Sequence, residues 1–317
     1  MPPGVRMTPM LAQYAEWKTL YPDCILLFRM GDFYEMFFED ARIASEILDI
    51  TLTARDAEKT IPMAGVPWHS VNSYLGRLVK AGHKAAICEQ VSEPDGRGLV
   101  DRQVIRIVTP GTYVPEEAGT GGRLAAVARA GKEVAAALLS AETGRLEAGV
   151  FPSPEAASLI ASFAPEELLF PAGFDPAKEL PMLADYFPIS RPEDFFSPAA
   201  GGRWLAEQWG VASLASFGLE DDSPEAGCAA ATLKYFSETQ FGAVKHVRGV
   251  YPLQSREYLH LDVTTQRNLE LTDDDGPSLY GVLNRCRSPM GRRTLREWIL
   301  RPLLNREPID RRLDGVE

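Results

Sequence analysis

The stretch that decides the fold is Ile25-Leu26-Leu27-Phe28-Arg29-Met30-Gly31-Asp32-Phe33-Tyr34-Glu35-Met36-Phe37. Its first four residues form an apolar run, too short for a helix and rich in bulk, that reads as a buried strand. If the chain stays extended past Gly31, side chains alternate faces with period two. Phe33 and Glu35 then point one way, and Asp32 and Tyr34 the other. A flat aromatic ring beside a carboxylate can wedge between stacked bases and hydrogen-bond the base it displaces. Taken alone, Phe-x-Glu is a weak signal. Buried aromatics are common, so the plain reading of Phe33 is core, and that of Glu35 a solvated edge residue.

Working outward, the surrounding segment reads as α/β. Ala41, Ala44, Ile47 and Leu48 recur at helical spacing, and Thr51-Leu52-Thr53 is a short strand candidate. Ser70 is placed to cap a helix whose apolar positions are Val71, Tyr74, Leu75, Leu78 and Val79, with Gly82 as its C-terminal cap. Ala85–Cys88 and Val104–Val108 read as strands, separated by a loop over 92–98. The glycines within 116–122 predict a linker. Three strand candidates follow, Leu124–Ala128, Glu133–Leu139 and Arg145–Phe151, with turn residues between them as in a meander. A helix over 154–163, a strand over 167–170, helical texture from Arg203 and a long helix over 224–239 complete a second α/β segment. Beyond Tyr251 comes an extended stretch at 259–263, then helices at 264–271, 278–284 and 292–300, the last stopped by Pro302. The fold expected is multidomain α/β with boundaries 1–115, 123–250 and 251–317. It comprises a mixed-sheet α/β domain, a second α/β domain, and the start of an all-α core cut off inside helical sequence.

At 317 residues, two to three domains are expected. No apolar run approaches the length of a membrane span, and the N-terminus lacks a signal-peptide core. The four cysteines, Cys24, Cys88, Cys228 and Cys286, have no metal-ligand spacing, which suits a reducing cytoplasm. The net charge of -11 argues against a blanket nucleic-acid binder. Its distribution qualifies that. Residues 1–110 carry 12 basic and 14 acidic groups, residues 111–250 carry 10 and 19, and residues 251–317 carry 11 of each. If DNA binds, the first segment is the candidate, through a local basic face, shape or a second subunit.

The run 26–37 closely resembles the start of the MutS family of bacterial DNA mismatch-recognition proteins. Thr60-Ile61-Pro62-Met63-Ala64-Gly65-Val66-Pro67, Val108-Thr109-Pro110-Gly111-Thr112, Leu269-Glu270-Leu271 and Ser288-Pro289-Met290-Gly291 resemble the same family in the same order. The resemblance runs from about Thr8 to Glu317. It implies a mismatch-binding domain, an RNase H-like connector and the opening of a helical core. It also implies mismatched double-stranded DNA as ligand, a MutL-type partner on the connector, homodimerisation of the full-length protein and a cytoplasmic, nucleoid-associated location.

In this family the residue matching Phe33 intercalates beside the mispaired base from the minor groove, and the one matching Glu35 hydrogen-bonds it. A mispair stacks poorly, so a wedge that needs kinked DNA selects for deformability. Pro62–His69 reads either as a rigid turn between prolines or as part of the DNA surface. In the second reading Gly65 permits close backbone approach, and Met63 packs beside the wedge. Arg55, His69, Arg102 and Arg106 are candidate phosphate contacts; each alone also reads as plain surface charge.

An enzyme reading is weak. An RNase H-like nuclease needs inward carboxylates holding two metal ions about 4 Å apart. Val134–Leu139 carries none, and Glu142 falls in a turn. Ser140 stands where the family commonly has Asp. The arginines Arg285, Arg287, Arg292, Arg293, Arg296 and Arg301 read as a solvated face or intramolecular pairs. No G-x-x-x-x-G-K-[ST] phosphate loop occurs. The resemblance therefore implies ATP and Mg2+ for a C-terminal domain outside these residues, and no cofactor here. A protein-interaction module without autonomous DNA binding is the alternative.

Overall fold

The structure is a computed structural model describing residues 8–56, 60–92, 100–114, 121–183, 187–242, 244–254, 258, 259, 261, 263–272 and 277–315. It packs into two compact units: residues 1–113 with 237–243, and 114–236 with 244–317. The segment from 251 onward thus packs in the same unit as 123–236. Most of the linker at 116–122 and of the loop at 92–98 lies outside the described residues, as do His260 and Asp262.

The first unit runs α1 (Pro9–Leu20), β1 (Cys24–Met30), β2 (Phe33–Phe37), α2 (Phe38–Leu48), β3 (Thr53–Ala54), β4 (Pro62–Pro67), α3 (Val71–Lys80), β5 (Lys84–Gln90) and β6 (Arg102–Val108). The sheet order is β3-β4-β2-β1-β5-β6. It is mixed: β1 and β5 are parallel and every other pair antiparallel. Both faces of β1 are covered. Ile25 and Leu27 join Tyr34, Met36 and the inner sides of α2 and α3. Leu26 and Phe28 join Phe37 and α1. Leu26, Leu27 and Phe28 are fully buried, each contributing about 1.5–3 kcal/mol.

The chain does not stay extended past Gly31. It reverses over Gly31 and Asp32, and β2 returns antiparallel to β1 with Met30 opposite Phe33. Gly31 has φ +58°, the left-handed value a two-residue hairpin turn requires at its first position. Ser70 does not cap α3. It lies in a 3-10 turn over Trp68–Ser70, and its hydroxyl donates to the Pro67 carbonyl instead. Gly82 ends that helix as expected: its N–H donates to Val79 O and that of His83 to Leu78 O, the paired bonds of a Schellman motif. The strand candidate at 51–53 reduces to β3, displaced to Thr53–Ala54.

The second unit begins with the antiparallel meander β7 (Arg123–Ala130), β8 (Glu133–Ser140) and β9 (Arg145–Phe151), followed by α4 (Ser153–Phe163), β10 (Glu167–Pro171), α5 (Pro176–Glu179), β11 (Phe187–Arg191), α6 (Pro198–Trp209), α7 (Pro224–Thr239) and β12 (Val250–Pro252). The sheet order is β11-β10-β7-β8-β9-β12, with β10 parallel to β7 and β11 parallel to β10. A meander extended by parallel strands beside its first member is the RNase H-like arrangement. Alternation along the meander feeds two cores. Ala126, Ala135, Ala137 and Leu146 pack under α6 and α7, while Val127, Val134, Ala136 and Leu138 pack under α4. Helix α6 begins at Pro198, five residues before the expected helical texture, because Ser197 accepts from Ala200 N as its cap. The helical segment follows as α8 (Val263–Asn268), α9 (Leu279–Leu283), α10 (Pro289–Leu300) and α11 (Arg306–Asp314). Val263 therefore opens a helix rather than closing an extended stretch. Among the described residues no helix is long and apolar enough to cross a membrane.

Candidate nucleic-acid interface

The hairpin places its side chains by ladder pairing. Across β2 and β4, Phe33 faces Pro67, Glu35 faces Gly65 and Phe37 faces Met63. Directly paired residues share a face, so Phe33, Glu35, Gly65 and Met63 lie together. Tyr34, Met36, Ala64 and Val66 line the opposite, buried face. Helix α1 covers only the far end of the shared face, where the Tyr14 ring meets that of Phe37 edge-on at 5.0 Å. Phe33, next to the turn, stays 47% exposed, an unusual position for a phenylalanine.

Glu35 is half-buried, and Arg55 Nη1 donates to its Oε2 at 2.9 Å. Burial pushes the Glu35 carboxyl above its ordinary value, against the pull of Arg55 and then Arg102. A carboxyl so placed can accept from a base N–H when ionised and donate when protonated. Gly65 needs no special backbone angle. A Cβ there would meet Tyr34 O at 3.5 Å, Glu35 Cγ at 3.7 Å and Phe33 Cδ1 at 3.8 Å, all ordinary contacts. Its lack of a side chain leaves a strip of backbone open between the phenylalanine and the carboxylate. Met63 is only partly exposed and packs against the core under α1.

Of the four candidate phosphate contacts, Arg55 and His69 lie near the hairpin. Arg55 follows β3 and reaches Glu35, and His69 is exposed in the turn after β4. Arg102 departs from the expectation. It is buried, its Nε donating to Arg29 O at 2.8 Å and its Nη1 to Gln13 Oε1 and Val100 O, with Cζ 4.9 Å from the Phe28 ring centroid. Its charge serves the interior behind Glu35. Arg106 departs too. It pairs with Ile87, on the face under α2 and α3, so the sheet separates it from Phe33. Burial lowers its guanidinium pKa.

Models of three successive modules match the sequence: MutS domain I over residues 8–117, MutS domain II over 122–248 and MutS domain III over 264–317. The chain belongs to the MutS family. The DNA mismatch repair protein MutS of Myxococcus xanthus (strain DK1622) is 43% identical over 333 aligned residues. That alignment takes in 98% of this chain and 37% of the relative's length.

Two residues of this MutS chain near the hairpin are missing from the sequence-based set. Trp68 is 46% exposed, directly after the Pro67 that pairs with Phe33, and its backbone N–H donates to Asp32 O at 3.0 Å. Arg29 lies over its ring at 4.7 Å. A tryptophan directly after Val66-Pro67, where the ladder ends, was the available signal.

Among the described residues of the second unit, the buried carboxylates and the half-buried Glu142 have partners. Glu147 pairs with Arg145 and Arg301, Glu167 accepts from Tyr235, and Glu142 pairs with Arg293. Among the described residues no group of three or more His, Cys, Asp or Glu could hold a metal ion. Arg293 and Arg301 of the arginine-rich segment are in intramolecular pairs, one of the two places the sequence offered for such arginines.

Proposed function

We propose that this chain recognises mispaired or looped-out bases in duplex DNA through its first unit, as an early step of mismatch repair. Phe33 is the minor-groove wedge and Glu35 the partner that hydrogen-bonds the displaced base. Arg55 holds Glu35 in place, Gly65 and Met63 border the strip beside the wedge, and Arg55 and His69 reach the backbone phosphates. The observation that carries this is an exposed phenylalanine two residues from a half-buried, arginine-held carboxylate on one uncovered strip of sheet. The name of the Myxococcus relative, a DNA mismatch repair protein, supports it.

The modules 1–115, 123–250 and 251–317 then act as mismatch reader, connector and start of a core. The connector's excess of acidic residues, 19 against 10 basic over 111–250, suits a protein partner of MutL type rather than DNA. ATP hydrolysis with Mg2+ and homodimerisation are assigned to other parts of a full-length protein.

The test is low-salt fluorescence anisotropy with G·T-mismatched and matched duplexes of equal length, comparing the wild type with Phe33→Ala. The expected result is a mismatch preference that Phe33→Ala removes while matched-duplex binding persists. A preference that survives in Phe33→Ala refutes the wedge assignment. For Glu35→Gln, a loss of affinity with unchanged preference refutes the discriminating role of the carboxylate.

A further inference from the structure

We infer that Arg29 is the positioning residue of the wedge: it fixes the Gly31-Asp32 turn, and hence the Phe33 ring, from the face of the sheet opposite the one that meets DNA. The inference rests on the wedge reading of Phe33 and deepens it.

Arg29 precedes the turn by two residues and pairs across the hairpin with Tyr34. Tyr34 belongs to the core under α2 and α3, so Arg29 and Phe33 lie on opposite faces. The guanidinium does four things there. Its Nε donates to Gly31 O at 2.6 Å, its Cζ lies 4.7 Å from the Trp68 ring centroid and 5.4 Å from that of Tyr34, and its Nη1 is 3.6 Å from Glu89 Oε1 on β5. The side chain is only 16% exposed. The main chain adds a second tie, the backbone N–H of Trp68 donating to Asp32 O. Both peptide carbonyls of the turn are therefore held, one by the Arg29 side chain and one by the main chain of the residue whose ring Arg29 stacks on.

This matters because a wedge must push bases apart. A turn of two residues beginning with glycine is permissive. An untethered tip would let the Phe33 ring recoil rather than part the stack, and a geometry slightly loose costs discrimination before it costs folding. A planar guanidinium can donate along its edge while stacking on two rings. Lysine offers neither the plane nor a donor at the Nε position.

The test uses this chain with Arg29→Met, Arg29→Lys and Trp68→Ala beside Phe33→Ala. Two readouts are taken. One is the ratio of mismatched to matched affinity. The other is the fluorescence of 2-aminopurine placed next to a G·T mismatch, which rises as the stack opens. Arg29→Met is expected to lower the ratio roughly three- to tenfold and to remove the fluorescence rise, with matched-duplex affinity unchanged. Arg29→Lys should behave like Arg29→Met, and Trp68→Ala, which removes the ring against Arg29 but keeps the main-chain bond to Asp32, in the same direction more weakly. Trp68→Ala carries the test should Arg29→Met fold poorly.

Three results overturn the inference. The ratio and the fluorescence could hold in both Arg29→Met and Trp68→Ala while Phe33→Ala loses them. Matched and mismatched affinity could fall together, with the log–log salt slope shallower by about one, which marks Arg29 as a phosphate contact. Arg29→Lys could restore full discrimination, which makes charge rather than the fork the active property. If Phe33→Ala changes neither readout, the wedge reading itself fails.

Discussion

Asp40 is the residue whose loss should most weaken the base of the hairpin. It sits in the first turn of α2 and is 4% exposed. Its Oδ2 accepts from Tyr14 O–H at 2.7 Å and from Leu26 N–H at 3.0 Å, and its Oδ1 from Lys18 Nζ at 2.8 Å. One carboxylate thus ties α1, β1 and α2 together. Strand β1 is paired with β2 only as far as Phe28 opposite Glu35, so Asp40 supplies the acceptor that the ladder no longer offers Leu26. Burial, and then the nearby carboxylate charge, drive the Tyr14 phenol far above its usual pKa, so it remains a donor at any working pH.

In Asp40→Ala, Tyr14 keeps a bond to Phe37 O at 3.2 Å and Lys18 one to Cys24 O at 2.7 Å. Leu26 N–H keeps nothing in their place. An orphaned buried donor costs about 1–3 kcal/mol and a lost charge-assisted bond about 1.5–3 kcal/mol. The ion pair counts for little, because Lys18 is 31% exposed. Allowing for shared partners, the sum is on the order of 3–5 kcal/mol, a large part of a domain's typical total of about 5–15 kcal/mol. Tryptophan fluorescence would mix the two units, so the assay is amide hydrogen exchange on peptides covering 24–37. Protection should fall by about two to three orders of magnitude. Tyr14→Phe, which keeps the ring contacts, should lose roughly one order. A loss below tenfold in Asp40→Ala would show that the carboxylate is dispensable and refute the reasoning.

Two further outcomes are expected. Burial places the folded pKa of Glu35 above its unfolded value, so its contribution to stability is full below the ordinary value of 4.5 and is lost as pH rises through the folded value. Melting of Glu35→Gln relative to the wild type should therefore shift in the variant's favour as pH rises above the ordinary value of 4.5; a difference that stays flat as pH rises would contradict the assignment. A Cβ at Gly202 in α6 would overlap Asp221 O, a backbone atom that cannot yield cheaply. Gly202→Ala should cost about 3 kcal/mol and selectively raise hydrogen exchange in the second unit, whereas Gly65→Ala should stay within about 0.5 kcal/mol; equal effects would refute the steric account.

What could be seen in the sequence depended on whether local pattern or tertiary partner decides a side chain's place. Phe33 and Glu35 share a face because they sit two apart on one strand, and that relation survives although the chain turns at Gly31 rather than running on. The turn was hidden because Gly31-Asp32 stands between two apolar runs that read as one. The strands β11 and β12 were missed because they are short, and Pro188 and Pro252 demote such runs. The arginines show the other case. Arg102 and Arg106 are four apart on β6, and strict alternation puts them on one face. The ladder slips between Ile87 and Cys88, Val104 pairing with Cys88 and Arg106 with Ile87. The extra residue, Ile105, turns Arg106 to the opposite face, and no glycine announces that bulge. Arg102 then remains on the Phe33 side but goes inward, because Arg29 O and Gln13, distant in the sequence, join the neighbouring Val100 O in a cradle for it. A short side chain on a strand is placed by its neighbours in sequence, and a long cation by whatever acceptors the fold brings within its reach. Phe33, Glu35 and Gly65 could for that reason be read together from the sequence, and the places of Arg102 and Arg106 could not.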